Sequence, residues 1–219
     1  MKSSPERSLK SLNMKWLVSL ATFDLIVVVL FVVPELISTA SMTQLGIARG
    51  FSIIVLPVII LLIVNVLSAN VKAMLVYWKP LGVLPGAEAF TTYGPADPRI
   101  DMIALKKNVG ALPTEPKEQN SKWYKLYKVV ENQTEVSSAQ KDFLMYRDMA
   151  VMSLPLIVLV PLSLYFMGVG TNALWLCAGL FLVQYALTAI SARHAGIRFV
   201  CNVLAVHAAK KVTAPKPQP

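Results

Sequence analysis

The sequence predicts an all-α membrane protein with four transmembrane helices, both termini in the cytosol, and a small helical cytosolic module between spans two and three. Three observations predict this fold class. The chain is apolar, with 55% hydrophobic residues and a mean hydropathy of +0.57. Four apolar runs reach the about 20 residues that a bilayer-spanning helix needs. The basic residues cluster in the intervals that this topology leaves in the cytosol.

The apolar runs divide the chain into five segments. The first run, from Trp16 to Ile37, exceeds the about 7–15 apolar residues of a cleaved signal peptide, so we expect it to remain as an anchor. The predicted segments are a cytosolic N-terminus (1–15), spans one and two (16–71), the cytosolic module (72–148), spans three and four (149–192), and a cytosolic helical extension with a disordered tail (193–219).

The distribution of lysine and arginine predicts the orientation. Four basic residues precede the first span, eleven lie in 72–149, and five follow the fourth span. The interval between spans one and two holds only Arg49, and residues 168–172 hold none. All basic clusters then share the cytosolic side, as the positive-inside rule requires. This bias accounts for the net charge of +9 without a nucleic-acid partner.

Within the module, proline and glycine predict irregular turns over 80–98. Asp97 is then the predicted N-cap of a short helix that ends near Asn108. A second helix is predicted over 115–131, with Thr114 as its cap. Ser137 and Gln140 form a capping-box pattern that predicts the start of a helix leading into span three.

Span four is predicted to continue beyond the bilayer as one long helix. The sequence contains no proline from Ala173 to about Val212, and Gly196 is the only strong helix breaker after Gly179. The cytosolic part carries an apolar stripe that includes Val200 and Leu204. We expect the stripe to pack on the module or, alternatively, on a second subunit of a homo-oligomer.

A candidate polar cluster lies at similar depth within the spans, formed by Asp24, Asn65 and Gln184. An ionised carboxylate in hydrocarbon costs several kcal/mol, so Asp24 should face the interior of the bundle. One interpretation is a proton or ion relay, and the other is an interhelical polar clamp. Because no span contains a basic partner for Asp24, the sequence favours the clamp.

The predicted helix 115–131 holds a candidate surface for a partner protein or for membrane lipid, formed by Lys122, Trp123, Lys125, Tyr127 and Lys128. The aromatic residues share a face with apolar neighbours, and the lysines recur every three residues. The helix could pack in a core, lie on anionic headgroups, or bind nucleic acid or another anion. Residues 72–149 carry eleven basic and nine acidic side chains, so a nucleic-acid site is disfavoured.

Sequence signatures of catalysis are missing. The chain has no G-x-S-x-G, Walker A or G-x-G-x-x-G motif, and His194 and His207 lack a metal-binding spacing. Cys177 and Cys201 are interpreted as apolar filler. The sequence therefore predicts a protein that is not an enzyme and that has no cofactor or metal.

The overall layout, together with Asp97-Pro98-Arg99-Ile100-Asp101, Leu112-Pro113 and the stretch from Gln119 to Tyr127, resembles the entry-exclusion proteins of IncI-type conjugative plasmids. The resemblance implies a multi-pass protein of the bacterial inner membrane. Such a protein blocks redundant plasmid transfer by engaging a component of the incoming transfer apparatus. The alternative is an oligomeric membrane effector or channel subunit of the phage-defence type, triggered through the module.

Overall fold

The computed structural model describes residues 9–38, 55, 59–60, 62, 64, 66–80 and 84–209. Every regular element among them is a helix, which confirms the all-helical class. The α-helices are α1 (Leu9–Ser38), α2 (Ala69–Tyr77), α3 (Met102–Val109), α4 (Pro116–Val130), α5 (Thr134–Phe166) and α6 (Thr171–Ala209). Between α2 and α3, residues 85–96 form a turn segment made of a 3-10 helix (Pro85–Glu88), a π-helical turn (Ala89–Tyr93) and an α-helical turn (Gly94–Ala96).

Three helices within the described residues are long and apolar enough to cross a membrane. They are α1, through its stretch Asn13–Phe31, together with α5 and α6. These helices indicate a multi-pass membrane protein. The predicted second span falls largely outside the described residues, so span two, the total of four spans and the orientation remain predictions.

The chain divides into two compact units. The span unit comprises Met1–Val76 and Leu144–Ala192, and the helical module comprises Tyr77–Phe143 and Arg193–Pro219. Helices α5 and α6 therefore contribute residues to both units. The sequence placed the module at 72–148 with an extension that begins at residue 193.

The span unit has an apolar interior and an apolar surface. Its core includes Val28 of α1, Leu156 of α5 and Phe181 of α6. Large apolar side chains such as Leu30 and Trp175 are more than half exposed. Lipid chains would cover such side chains in a bilayer, whereas exposure of so large an apolar surface to water is unfavourable.

The module is built around an aromatic cluster. Trp123 and Tyr127 of α4 meet Phe199 of α6 edge-on, with ring centroids 5.1 and 5.3 Å apart, and Phe143 of α5 stacks on the same ring at 6.5 Å. The α6 stripe is buried here, with Val200, Val203 and Leu204 fully enclosed and His207 5% exposed. The C-terminal extension of α6 therefore packs on α4 and α5, as predicted.

Gly196 allows this packing instead of breaking α6. A Cβ atom at Gly196 would overlap the Tyr77 hydroxyl and lie 3.1 Å from the Phe143 ring. A side chain at this position would push α6 away from both aromatic residues. Helix α6 accordingly continues as one element through Gly196 to Ala209, as predicted.

The predicted caps of α3 and α4 are wrong. Asp101 caps α3, since its Oδ1 accepts from the Ile103 and Ala104 N–H groups at 2.8 and 3.0 Å. Asp97 instead binds Arg99, whose backbone N–H and guanidinium both reach its carboxylate. Glu115 occupies the N-cap position of α4 and makes no side-chain cap there.

The capping box at the start of α5 is wrong as well. Helix α5 begins at Thr134, so Ser137 already lies within its first turn. Gln140 accepts a hydrogen bond from the Tyr127 hydroxyl at 3.0 Å. Gln140 therefore joins α5 to α4 across the module core.

Candidate functional site

The predicted polar cluster of the spans brings three helices of the span unit together. Asp24 of α1 is fully buried, and its Oδ1 accepts from Gln184 Nε2 of α6 at 2.9 Å. The same nitrogen donates to Ser153 Oγ of α5, also at 2.9 Å. Asn65, the remaining member of the predicted cluster, lies outside the described residues. Ser153 was not among the predicted members, although it is a polar residue near the start of span three.

The hydrogen bonds in this cluster form a chain with one loose end. Gln184 donates both of its amide hydrogens, and the Ser153 hydroxyl donates a hydrogen bond to the Met149 carbonyl at 3.0 Å. Asp24 Oδ2 has no hydrogen-bond partner among the described residues. The arrangement acts as a clamp between α1, α5 and α6. It also leaves one carboxylate oxygen that can take up a proton.

A second buried polar cluster in the span unit was missed by the sequence analysis. Asp148 of α5 accepts from Lys72 Nζ at 3.1 Å and from Arg147 at 2.9 Å, and all three side chains are at most 13% exposed. The missed signal is that Lys72 ends one apolar run and Asp148 precedes the next. Removing one member of a buried ion pair typically costs about 3–5 kcal/mol.

In the module, the predicted partner or lipid surface on α4 separates into interior and exposed residues. Trp123 and Tyr127 are 4% and 7% exposed because they form the aromatic cluster against Phe199. They therefore lie in the module core, as the packing interpretation expected. Lys125 and Lys128 remain exposed.

The three predicted lysines differ in their contacts. Lys122 donates to the carbonyls of Val109 and Ala111. Lys128 pairs with Glu131 at 2.7 Å and lies over the rings of Tyr124 and Tyr127. Lys125 has no ion pair within the described part of the chain. Of the three ammonium groups, that of Lys125 is therefore the one most available to a partner.

A groove runs beside α4 at the connection that follows α3. The connection 110–115 forms the wall of the groove, and two α4 side chains hold it. Lys122 donates to the carbonyls of Ala111 and of Val109, the last residue of α3, and Gln119 Nε2 donates to the Thr114 carbonyl at 2.7 Å. These hydrogen bonds tie the wall to α4, although the wall has no regular secondary structure. The groove is lined by Ala111, Leu112, Pro113, Glu118, Ser121, Lys122 and Lys125.

Electrostatics elsewhere in the module are dominated by close pairs. The Arg99 guanidinium holds the pKa of the Asp97 carboxyl down, to about 2, and Arg99 Nη1 also donates to Asn202 of α6 at 3.2 Å. Burial raises the pKa of Tyr93 to about 12. Arg99 thereby connects α6 to the segment before α3, and Tyr93, Asp97 and Arg99 lie outside the lining of the groove.

The described residues contain no group of three or more His, Cys, Asp or Glu side chains that could hold a metal ion. No protein-family model matches the chain, and no similar curated protein or solved structure was found.

Proposed function

We propose that this is a membrane-anchored recognition protein, whose helical module binds a partner protein at the cytosolic face of the bacterial inner membrane. The observation that carries the proposal is the groove beside α4. Its wall is held by Gln119 and Lys122, and its rim presents the exposed ammonium group of Lys125. A prearranged surface suits binding because little conformational entropy is lost when the partner arrives.

The partner we propose is a component of an incoming conjugative transfer apparatus, so that the protein acts in entry exclusion. The supporting argument is the resemblance in layout and in the stretches around Arg99, Leu112 and Trp123. The test is a mating assay in which recipient cells express the full chain or an empty vector. We expect the frequency of IncI-type plasmid transfer to fall at least tenfold, with no effect on transfer of an unrelated plasmid.

The same mating assay tests whether the groove beside α4 is the surface that binds the partner. Lys125→Glu should restore transfer because it reverses the charge at the groove. Lys107→Glu is the matched control, since Lys107 is exposed on α3 and does not line the groove. Unchanged transfer into cells expressing the wild-type chain would refute entry exclusion.

The second candidate function is an oligomeric membrane effector or channel subunit. It is supported by Asp24, a buried carboxylate in a candidate span whose Oδ2 has no hydrogen-bond partner among the described residues. Uptake of a potential-sensitive dye distinguishes the two functions. Sustained depolarisation that depends on Asp24 would favour the effector and refute the recognition proposal.

A further inference from the structure

We propose that the groove beside α4 takes an extended, acidic segment of the partner protein. The inference rests on the proposed function and specifies the chemistry of the partner. It follows from the backbone of the groove wall, from the charges on the rim, and from the apolar side chains between them.

The groove wall offers backbone groups for pairing with an extended chain. The carbonyls of Val109, Ala111 and Thr114 are occupied by α4 side chains, whereas Leu112 makes no hydrogen bond to the described residues. Its N–H and C=O are therefore left to form hydrogen bonds with an extended peptide.

The charges on the rim select an acidic segment. The lining contains two lysines and one glutamate, Glu118, and Lys122 already donates to the wall. Lys125 continues outward as a stripe with Ser121 and Lys117, at spacings of four residues along the exposed face of α4. Neither Lys125 nor Lys117 has an ion pair within the described ranges. A carboxylate in the groove would therefore pair with Lys125, the lining ammonium group that has no hydrogen bond or ion pair to the described residues.

The apolar lining suits side chains that alternate with the acidic ones. In an extended chain, successive side chains point to opposite sides. A segment with alternating acidic and apolar residues would place its apolar side chains against Ala111, Leu112 and Pro113 and its carboxylates toward Lys125. This pattern gives the partner segment a recognisable sequence.

Nucleic acid fits the groove less well. Binding a phosphate backbone relies on several lysines or arginines that each neutralise a phosphate. The exposed stripe of α4 offers only Lys117 and Lys125 without ion pairs in the described structure, and Glu118 lies between them in sequence. A single peptide carboxylate needs only one cationic side chain.

The test uses the purified full chain in zwitterionic nanodiscs and fluorescence anisotropy of two labelled peptides. One peptide alternates glutamate with valine, and the other alternates lysine with valine. We expect only the glutamate peptide to bind, and Lys125→Glu to weaken this binding at least tenfold. Lys107→Glu should change it less than twofold. N-methylation at the centre of the peptide, which removes a backbone donor, should also weaken binding while leaving the protein unaltered.

Three results would overturn the inference. The first is equal binding of both peptides, and the second is binding that is insensitive to Lys125→Glu. The third is binding of the protein to phosphatidylglycerol vesicles that depends on Lys125, with no binding of either peptide. The mating assay and the peptide-binding assay can refute the two proposals separately. If transfer is excluded but neither peptide binds, the inference is wrong and the proposed function stands. If the glutamate peptide binds but transfer is unaffected, entry exclusion is wrong and the groove assignment stands.

Discussion

Replacement of Gln119 tests whether α4 organises the module and its groove. Gln119 is 1% exposed, and its Oε1 accepts from the backbone N–H groups of Phe90 and Thr91 at 2.9 and 3.3 Å. Its Nε2 donates to the Thr114 carbonyl at 2.7 Å and to the Thr91 hydroxyl at 3.1 Å. One side chain therefore joins the turn segment, α4 and the groove wall.

The expected loss can be worked out from these contacts. Gln119→Leu keeps a similar volume but removes the hydrogen bonds, each worth about 0.5–1.5 kcal/mol net, and it leaves the buried Phe90 N–H without its acceptor. We expect the free energy of unfolding to fall by about 3 kcal/mol. For a unit the size of the module, the corresponding fall in the unfolding temperature is roughly 12–24 °C.

Gln119→Glu tests the accepting and donating ends of the Gln119 amide separately. The carboxylate can still accept from Phe90, but its second oxygen replaces the amide that donates to Thr114. Burial raises the pKa of such a carboxyl, so the folded state binds the extra proton. The variant should therefore recover part of its lost stability as the pH falls, because the protonated acid can donate again.

The assay is thermal unfolding of the full chain in detergent, followed by tryptophan fluorescence, since Trp123 packs directly in the module core. The matched control is Glu118→Gln, an exposed neighbour for which no effect above about 0.5 kcal/mol is expected. Equal unfolding temperatures for Gln119→Leu and Glu118→Gln would refute the role assigned to the network.

Three further predictions concern other contacts. Gly196→Ala should destabilise the module by about 1–3 kcal/mol in the same unfolding assay, whereas Gly179→Ala, which meets nothing within 4 Å, should not. The pairing of Asp97 with Arg99 lowers the carboxyl pKa to about 2, so it should add about 1 kcal/mol to the free energy of unfolding above pH 4. This contribution should be lost between pH 4 and pH 2, and the difference in unfolding temperature between wild type and Asp97→Asn should vanish over the same range. Asp24→Asn should preserve the clamp and the exclusion phenotype, whereas Asp24→Leu should lower the thermal stability of the solubilised protein.

Local sequence patterns predicted some of the fold well. The proline-free run correctly predicted α6 as one helix, because no residue in it interrupts the hydrogen-bond ladder. The pattern could not reveal the role of Gly196. Its position depends on Tyr77 and Phe143, which are distant in sequence. In the module, Gly196 is better understood as a packing residue than as a helix breaker.

The cap assignments failed because two aspartates competed for the same role. Asp97 and Asp101 both precede helical residues, and both suit an N-cap. Arg99 lies two residues after Asp97 and engages its carboxylate, while Asp101 is left to accept from the first turn of α3. Side-chain pairing, which no propensity describes, therefore selected the helix start.

The site residues were predictable as a helix face but not as contacts. The spacing of Trp123 and Tyr127 placed them on one face of α4, yet the burial of that face depends on Phe199, more than seventy residues away. The clamp between Asp24 and Gln184 was predictable because few polar residues occur in the spans. The pairing of Asp148 with Lys72 required knowledge of which helix ends meet.

The contrast between Lys122 and Lys125 determines how mutants of this surface should be interpreted. Lys122 holds the groove wall through two carbonyls, so its replacement would weaken the proposed partner binding even without a direct contact to the partner. Lys125 makes no such contact, and its replacement leaves the wall in place. A loss of exclusion in Lys122→Ala accompanied by lower thermal stability would therefore reflect the wall. A loss in Lys125→Glu at unchanged stability would reflect the altered surface charge instead.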